Sequence, residues 1–200
     1  MRHYPTALQL LVNKARIKTG QWVLVMGAAG GLGSCGVRAA IAMGARVIAG
    51  AGADDRVDFA QLLGAEAGVN YRTKDLTAEV MRITDGAGVD VVFENISDPT
   101  TWLAAFASLR HGGTLVTVGA HGDGDVTLDA KLLYHRRIRI LGAAGSNTEN
   151  VLAALKGAGA GLFRMEIEDI LPLERLQEAY ARLENRDVRG KIIIDPGLDG

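Results

Sequence analysis

The stretch Gly27-Ala28-Ala29-Gly30-Gly31-Leu32-Gly33 has the residue types and spacing to do chemistry through its backbone. It follows an apolar run, Trp22 to Met26, and opens a helical pattern carrying Leu32, Cys35, Gly36, Ala39, Ala40 and Met43 on one face. Set against the G-x-G-x-x-G spacing it reads Ala28-x-Gly30-x-x-Gly33, with Ala in the first place. Gly30 would let the backbone approach a pyrophosphate, and Gly33 would let the helix lie close on the strand. The N–H groups at the helix start, around Gly31 and Leu32, would point at the phosphates. Ala29, Gly30, Gly31 and Leu32 are therefore the candidate phosphate contacts. No Gly-Lys-Ser/Thr follows, which excludes a Walker-type loop. A strand before and a helix after are the context that a dinucleotide-binding turn requires.

Other candidates sit where further strands end. The second apolar run closes on Ala49-Gly50-Ala51-Gly52-Ala53, where an acidic residue would ordinarily hold the ribose hydroxyls of NAD. The first acids, Asp54 and Asp55, come late and read as helix N-caps ahead of Val57, or as ribose ligands that bend back. Small residues such as Gly52 leave room for a 2′-phosphate, with Arg56 the cation within reach. Asn95 follows Phe93-Glu94 at the end of another strand and reads equally as a ligand contact or a helix cap. The histidines His3, His111, His121 and His135 are scattered and unpaired with cysteine. His111 reads as a helix C-terminal residue, His135 as solvated, and His121 lies near the expected nicotinamide end. The lone Cys35 reads as a core thiol. No residue of the chain is assigned a catalytic or metal-ligating role.

These residues need a frame, and the chain supplies one by alternation. Strand-like runs at Trp22–Met26, Arg46–Ala49, Val69–Tyr71, Val89–Phe93, Leu115–Val118, Ile138–Leu141 and Lys191–Ile194 are separated by helical patterns, including 6–15, 147–157 and 173–185. Asp98-Pro99 opens one of the helices, Pro suiting its first turn. Short, continuous Val- and Ile-rich strands fit a parallel sheet covered on both faces. The predicted class is α/β: a doubly wound Rossmann fold, a mostly parallel six-stranded sheet with helices on both faces, forming one domain over residues 1–200.

Composition closes off other classes. At 200 residues and 48% hydrophobic, the chain can bury a full core without disulfides or metals. Lys and Arg number 22 against 23 Asp and Glu, so there is no basic footprint for nucleic acid. No apolar stretch is long enough to span a membrane, and Met1-Arg2-His3-Tyr4-Pro5 has no signal-peptide core, so a cytoplasmic setting is expected. Glycine, 26 of 200 residues, is nearly twice its usual ~7% and implies tight turns and close backbone approaches.

Several segments in order carry a family resemblance: Gln21 to Gly33, Leu63-Gly64-Ala65, Val69 to Arg72, Gly88 to Phe93, Gly112 to Val116 and Arg189 to Ile193. Over residues 5–196 the chain resembles the cofactor-binding domain of the medium-chain dehydrogenase/reductase superfamily. It is more similar to the quinone oxidoreductase and zinc-type alcohol dehydrogenase-like branches than to the main alcohol dehydrogenases, which have Gly where this chain has Ala28. The resemblance implies NADP as the preferred cofactor over NAD, Arg56 pairing the 2′-phosphate and Tyr71 bonding it or packing on the adenosine. It places the backbone of Val118, Gly119 and Gly142-Ala143 near the nicotinamide. It implies a homodimer joined at the 138–141 edge strand, with Ile138 and Ile140 on one side and Arg137 and Arg139 on the other. Intact members carry an N-terminal substrate domain of roughly a hundred residues or more that supplies any zinc ligands, and residues 172–195 would pack on it. The chain alone is accordingly expected to be inactive. Three readings stand at this point: an oxidoreductase cofactor domain that positions hydride transfer to a carbonyl or activated alkene, an enoyl reductase module of a larger synthase, and a non-catalytic nucleotide-binding dimerisation module.

Overall fold

A computed structural model describes residues 2–119 and 124–198. A helix α1 (His3–Leu8) runs into a π-helical stretch (Gln9–Ala15) and stops at Arg16, whose φ is 53°. Then follow β1 (Trp22–Met26), α2 (Gly31–Ala42), β2 (Arg46–Ala51), α3 (Asp54–Leu62), β3 (Ala67–Asn70), α4 (Leu76–Ile83), β4 (Val89–Glu94), α5 (Pro99–Ala107) and β5 (Leu109–Thr117). The chain continues through α6 (Ala130–His135), β6 (Arg139–Gly142), α7 (Thr148–Gly159), β7 (Ile167–Leu171), α8 (Leu176–Glu184) and β8 (Lys191–Ile194).

Six strands form one parallel sheet in the order β3-β2-β1-β4-β5-β6. Both faces are buried, which is why the strands read as continuous apolar runs. Val23, Val25, Val91 and Phe93 face a core completed by the N-terminal helix, α2 and Ala154 of α7. Leu24, Met26 and Val92 face a second core with Val80 of α4 and Trp102 and Phe106 of α5. This is the doubly wound Rossmann arrangement the alternation implies. The order reverses between β1 and β4, so the carboxyl ends of those strands open a crevice.

Several local expectations change. The fifth strand begins at Leu109, not Leu115. Its pairing with β4 slips between Val89↔Leu109 and Val91↔Thr114, so His111, Gly112 and Gly113 form an irregularity inside the strand. His111 is therefore an exposed strand residue and not a helix C-terminus. The helix α6 and the strand β7 carry no clear apolar pattern, and β7 pairs only with β8, in a separate two-stranded parallel sheet. The last strand thus does not join the main sheet. It is tied to the glycine turn by a bridge between Gly30 and Gly190, with the Gly190 N–H donating to Ala29 O at 2.9 Å.

Strand β6 is the sheet edge, as expected, but its two sides are not simply polar and apolar. Ile138 and Ile140 pack into one core, while Leu141, on the side of Arg139, packs into the other. Arg137 precedes the strand with φ 52° and lies outside its alternation.

At the amino ends of the strands Asp90 joins three of them. Its Oδ2 accepts the Trp22 N–H at 2.8 Å, and its Oδ1 accepts from Gln21 Nε2 at 3.1 Å and Arg110 Nε at 2.6 Å. The Asp90 side chain is 15% exposed, so removing it would leave a backbone donor without a partner. Asp90→Ala is expected to lower the unfolding free energy by about 1.5–3 kcal/mol, as for hydrogen bonds to a charged acceptor. Urea denaturation measures it; a loss under ~0.5 kcal/mol would match an ordinary surface change instead.

Candidate dinucleotide cleft

The first crossover fixes the geometry of the crevice. Gly27 turns the chain out of β1 with φ 61°, and Gly30 caps α2 from extended backbone. A Cβ on Gly33 would overlap the Gly27 carbonyl oxygen, so the close seating of α2 on β1 requires glycine there. Among the described residues no side chain caps α2, and the N–H groups of its first turn lie at the cleft floor with Gly31 and Leu32. A Cβ on Gly30 would meet Gly27 O at 3.3 Å and no other described residue.

A cleft of about 720 Å³ runs across the carboxyl ends of β1, β2, β4 and β5. All ten sequence candidates line it: Ala29, Gly30, Gly31, Leu32, Gly52, Arg56, Tyr71, Asn95, Val118 and Gly119. Gly142 and Ala143 do not, though Gly145 does. His121 lies outside the described residues.

The structure excludes two cap readings. Asn95 is buried and donates from Nδ2 to Met26 O at 2.8 Å, while the cap of α5 is Asp98, whose carboxylate accepts the Thr100 N–H. Asn95 is thus a tie between β4 and β1, not a helix cap. Asp54 and Asp55 are not caps either: α3 starts at Asp54, Ala53 holds the cap position, and no side chain bonds there. The Asp54 Oδ1 instead accepts from Asn70 Nδ2 at 2.8 Å. Both acids still lie in the first turn, where the helix dipole favours them.

Several residues at the cleft went unread in the sequence. Lys191, at the start of β8, lies over the start of α2, so close that a Cβ on Gly31 would overlap its side chain. Burial lowers the Lys191 pKa. Burial also lowers the His3 imidazole to about 4, with Lys191 and Arg2 adding repulsion, so His3 is neutral at pH 7. At the far end Arg72 and Arg186 join Arg56 in a lobe of about 590 Å³ shared with Gly52 and Tyr71. A Cβ on Gly52 would stand 3.1 Å from the Tyr71 hydroxyl and 3.2 Å from Arg72 Nε, so the small residue there makes room for both. Burial raises the Tyr71 pKa, while Arg72, Arg186 and Arg56 oppose the rise. Asp55, Glu184 and Asp187 share this lobe. A spacing rule finds none of the added cations, because 160 residues separate Gly31 from Lys191 and 134 separate Gly52 from Arg186.

Other candidates stand apart. Cys35 is buried in the core beneath α2, its thiol pushed up to about 12 by burial. His135 is exposed and stacks on Tyr134 with ring centroids 4.3 Å apart. Among the described residues no three His, Cys, Asp or Glu side chains cluster as a metal would need, and no helix is long and apolar enough to cross a membrane.

Comparison with known proteins gives these features a lineage. The family described as "Zinc-binding dehydrogenase" matches residues 31–158. Alcohol dehydrogenase 2 of Caenorhabditis elegans is 33% identical over 186 residues, covering 92% of this chain and 52% of that protein. A NAD-dependent alcohol dehydrogenase of Saccharolobus solfataricus is 31% identical over 186 residues, covering 92% and 53% respectively. Among solved structures, AibC superposes with a TM-score of 0.89 at 33% identity, covering 98% of this chain and 58% of that one. The chain spans about half the length of the curated relatives it matches. With its parallel sheet, its glycine turn at the switch point and this run of similarity, the chain belongs to the zinc-binding dehydrogenase family, as a match to the cofactor-binding domain of medium-chain dehydrogenases.

Proposed function

We propose that this chain is the nicotinamide-dinucleotide-binding part of an oxidoreductase that acts on a carbonyl or an activated alkene, with NADP(H) preferred. One observation carries the reading: the ten candidate residues share one cleft that begins at an uncapped helix start. The residues fit the group. The first-turn amides of α2 and the Lys191 ammonium suit a pyrophosphate. Gly52, Tyr71 and the guanidinium groups of Arg56, Arg72 and Arg186 suit an adenosine bearing a 2′-phosphate. The loop at Asn95 and the backbone at Val118 and Gly119 suit the nicotinamide half. When bound, the nicotinamide supplies or accepts the hydride; the protein's part is to hold and orient it.

The relative named NAD-dependent favours NAD as the second reading. Against it, Asp54 is already engaged by Asn70, and no acid stands at the end of β2 among Gly50, Ala51 and Gly52. Exposed apolar residues near the C-terminal end of the chain also support a second domain in the intact protein. Leu173 just before α8, Leu176, Tyr180 and Leu183 on α8, and Ile170 and Ile193 on β7 and β8 are all exposed. We take the segment of about 172–195 as the seat of a substrate-binding domain, so the chain alone binds cofactor without turnover. The free edge of β6 is proposed to join a second copy across a two-fold axis.

Titration of the chain with NADPH, followed by fluorescence, is expected to show saturable binding but no reduction of quinones or aldehydes. Gly30→Val places a branched side chain at the phosphate approach and should weaken binding at least about a hundredfold, some 2.7 kcal/mol. Unchanged affinity would move the phosphates elsewhere, and rapid turnover by the chain alone would refute the division of labour.

For cofactor choice, Arg56→Ala should cost NADPH about 1.5–3 kcal/mol and leave NADH nearly untouched. Equal dissociation constants for NADPH before and after the substitution would refute the phosphate site.

For assembly, sedimentation equilibrium should show a dimer that Ile140→Pro weakens by removing an edge N–H. A strict monomer at high micromolar concentration would rule the edge contact out.

A further inference from the structure

The carboxyl end of β4 holds a carboxyl group with no access to solvent. Glu94 is 0% exposed. Such burial is tolerated only where the oxygens are met by donors. Here Oε1 accepts the N–H of Ile96 at 2.8 Å and that of Ser97 at 2.9 Å. The other oxygen, Oε2, lies 3.2 Å from the hydroxyls of both Ser97 and Thr117. Ser97 Oγ is also 2.9 Å from Gly119 O, and its single proton can serve one acceptor at a time.

These contacts span the two loops that wall one half of the cleft. Ser97 holds φ at 52°, a left-handed conformation that L residues seldom adopt, and its N–H is one of those bound by Glu94. The loop so fixed presses on the glycine turn: a Cβ on Gly27 would lie 3.1 Å from Asn95 Oδ1 and 3.4 Å from Ile96 Cγ1. Asn95, Ile96, Val118 and Gly119 all line the cleft, but Glu94 does not.

We propose that Glu94 is a positioning residue for the nicotinamide half of the cleft. Its oxygens lock the β4 loop to the end of β5 and so set Asn95, Ile96 and Gly119 at one spacing from the glycine turn. This rests on the dinucleotide reading above. It assigns the work to acceptor geometry and not to charge. A glutamine can repeat that geometry: its Oε1 accepts the two N–H groups, and its Nε2 donates to the Thr117 and Ser97 hydroxyls, leaving the Ser97 proton for Gly119 O.

The test compares two ligands on the full chain, NADPH and 2′,5′-ADP, which carries the adenosine end alone. NADH and 5′-AMP replace them if the parent prefers NADH. Glu94→Ala should weaken the dinucleotide at least about tenfold and the adenosine half less than about threefold, while Glu94→Gln should stay within about threefold of the parent for both. Thr117→Val, which deletes one donor and keeps the shape, should show the same split at a smaller size and serves if Glu94→Ala fails to fold. Equal losses for both ligands, no loss for either, or a glutamine variant as weak as the alanine one would overturn the proposal. A parent that binds neither ligand would instead bring down the dinucleotide reading, and this one with it.

Discussion

The contact between helix α2 and strand β1 is the constraint on which the rest of the molecule depends. A Cβ at Gly33 would overlap the Gly27 carbonyl oxygen, so the helix can sit where it does only on a glycine. That seating puts the uncapped first turn of α2 at the carboxyl ends of the strands, where the sheet order reverses. The partial positive charge of the helix start then faces a crevice and not the core. The C-terminal sheet is arranged around the same point, through the Gly30–Gly190 bridge and the Lys191 side chain over Gly31. The loop after β4 meets it from the other side, with Asn95 bonded to Met26 O.

Cationic side chains stand at both ends of the cleft, with Asp55, Glu184 and Asp187 among the arginines of the far lobe. Lys191 stands near the helix start, and three arginines stand at the far lobe. Among the described residues neither set forms an ion pair of the kind that joins Arg38 to Glu166 or Arg46 to Glu66. Lys191 instead bears the cost of burial, seen in its lowered pKa, and the neutral His3 beside it avoids adding to it. An anion entering between them would restore what burial removes.

Much of this was legible in the sequence, for reasons that are physical. The alternation of Val23 and Val25 with Leu24 and Met26 serves two cores at once, so the strand could only be a covered one. The glycine spacing is set by backbone sterics between near neighbours, which a local reading detects. Other features were hidden. β7 interrupts its apolar residues with Glu168 and Asp169, whose charges are met by Arg182 and, for Glu168, also by Arg189. The acids after β2 resemble caps in sequence because nothing local marks Ala53 as the residue before the helix; α3 already begins at Asp54. Lys191, Arg72 and Arg186 reach the cleft only through tertiary packing, and the contacts that Ile96, Ser97 and Thr117 make to Glu94 exist only once the β4 loop and the end of β5 are brought together.

We propose that the backbone at the start of α2 receives the phosphates of a dinucleotide. Amide chemical shifts of the labelled chain, followed through a titration with NADPH, test it most directly. The largest shifts are expected at the N–H groups of Gly30, Gly31 and Leu32, saturating together with those of Gly52 and Gly119. Saturable binding that leaves Gly30, Gly31 and Leu32 unmoved would contradict it.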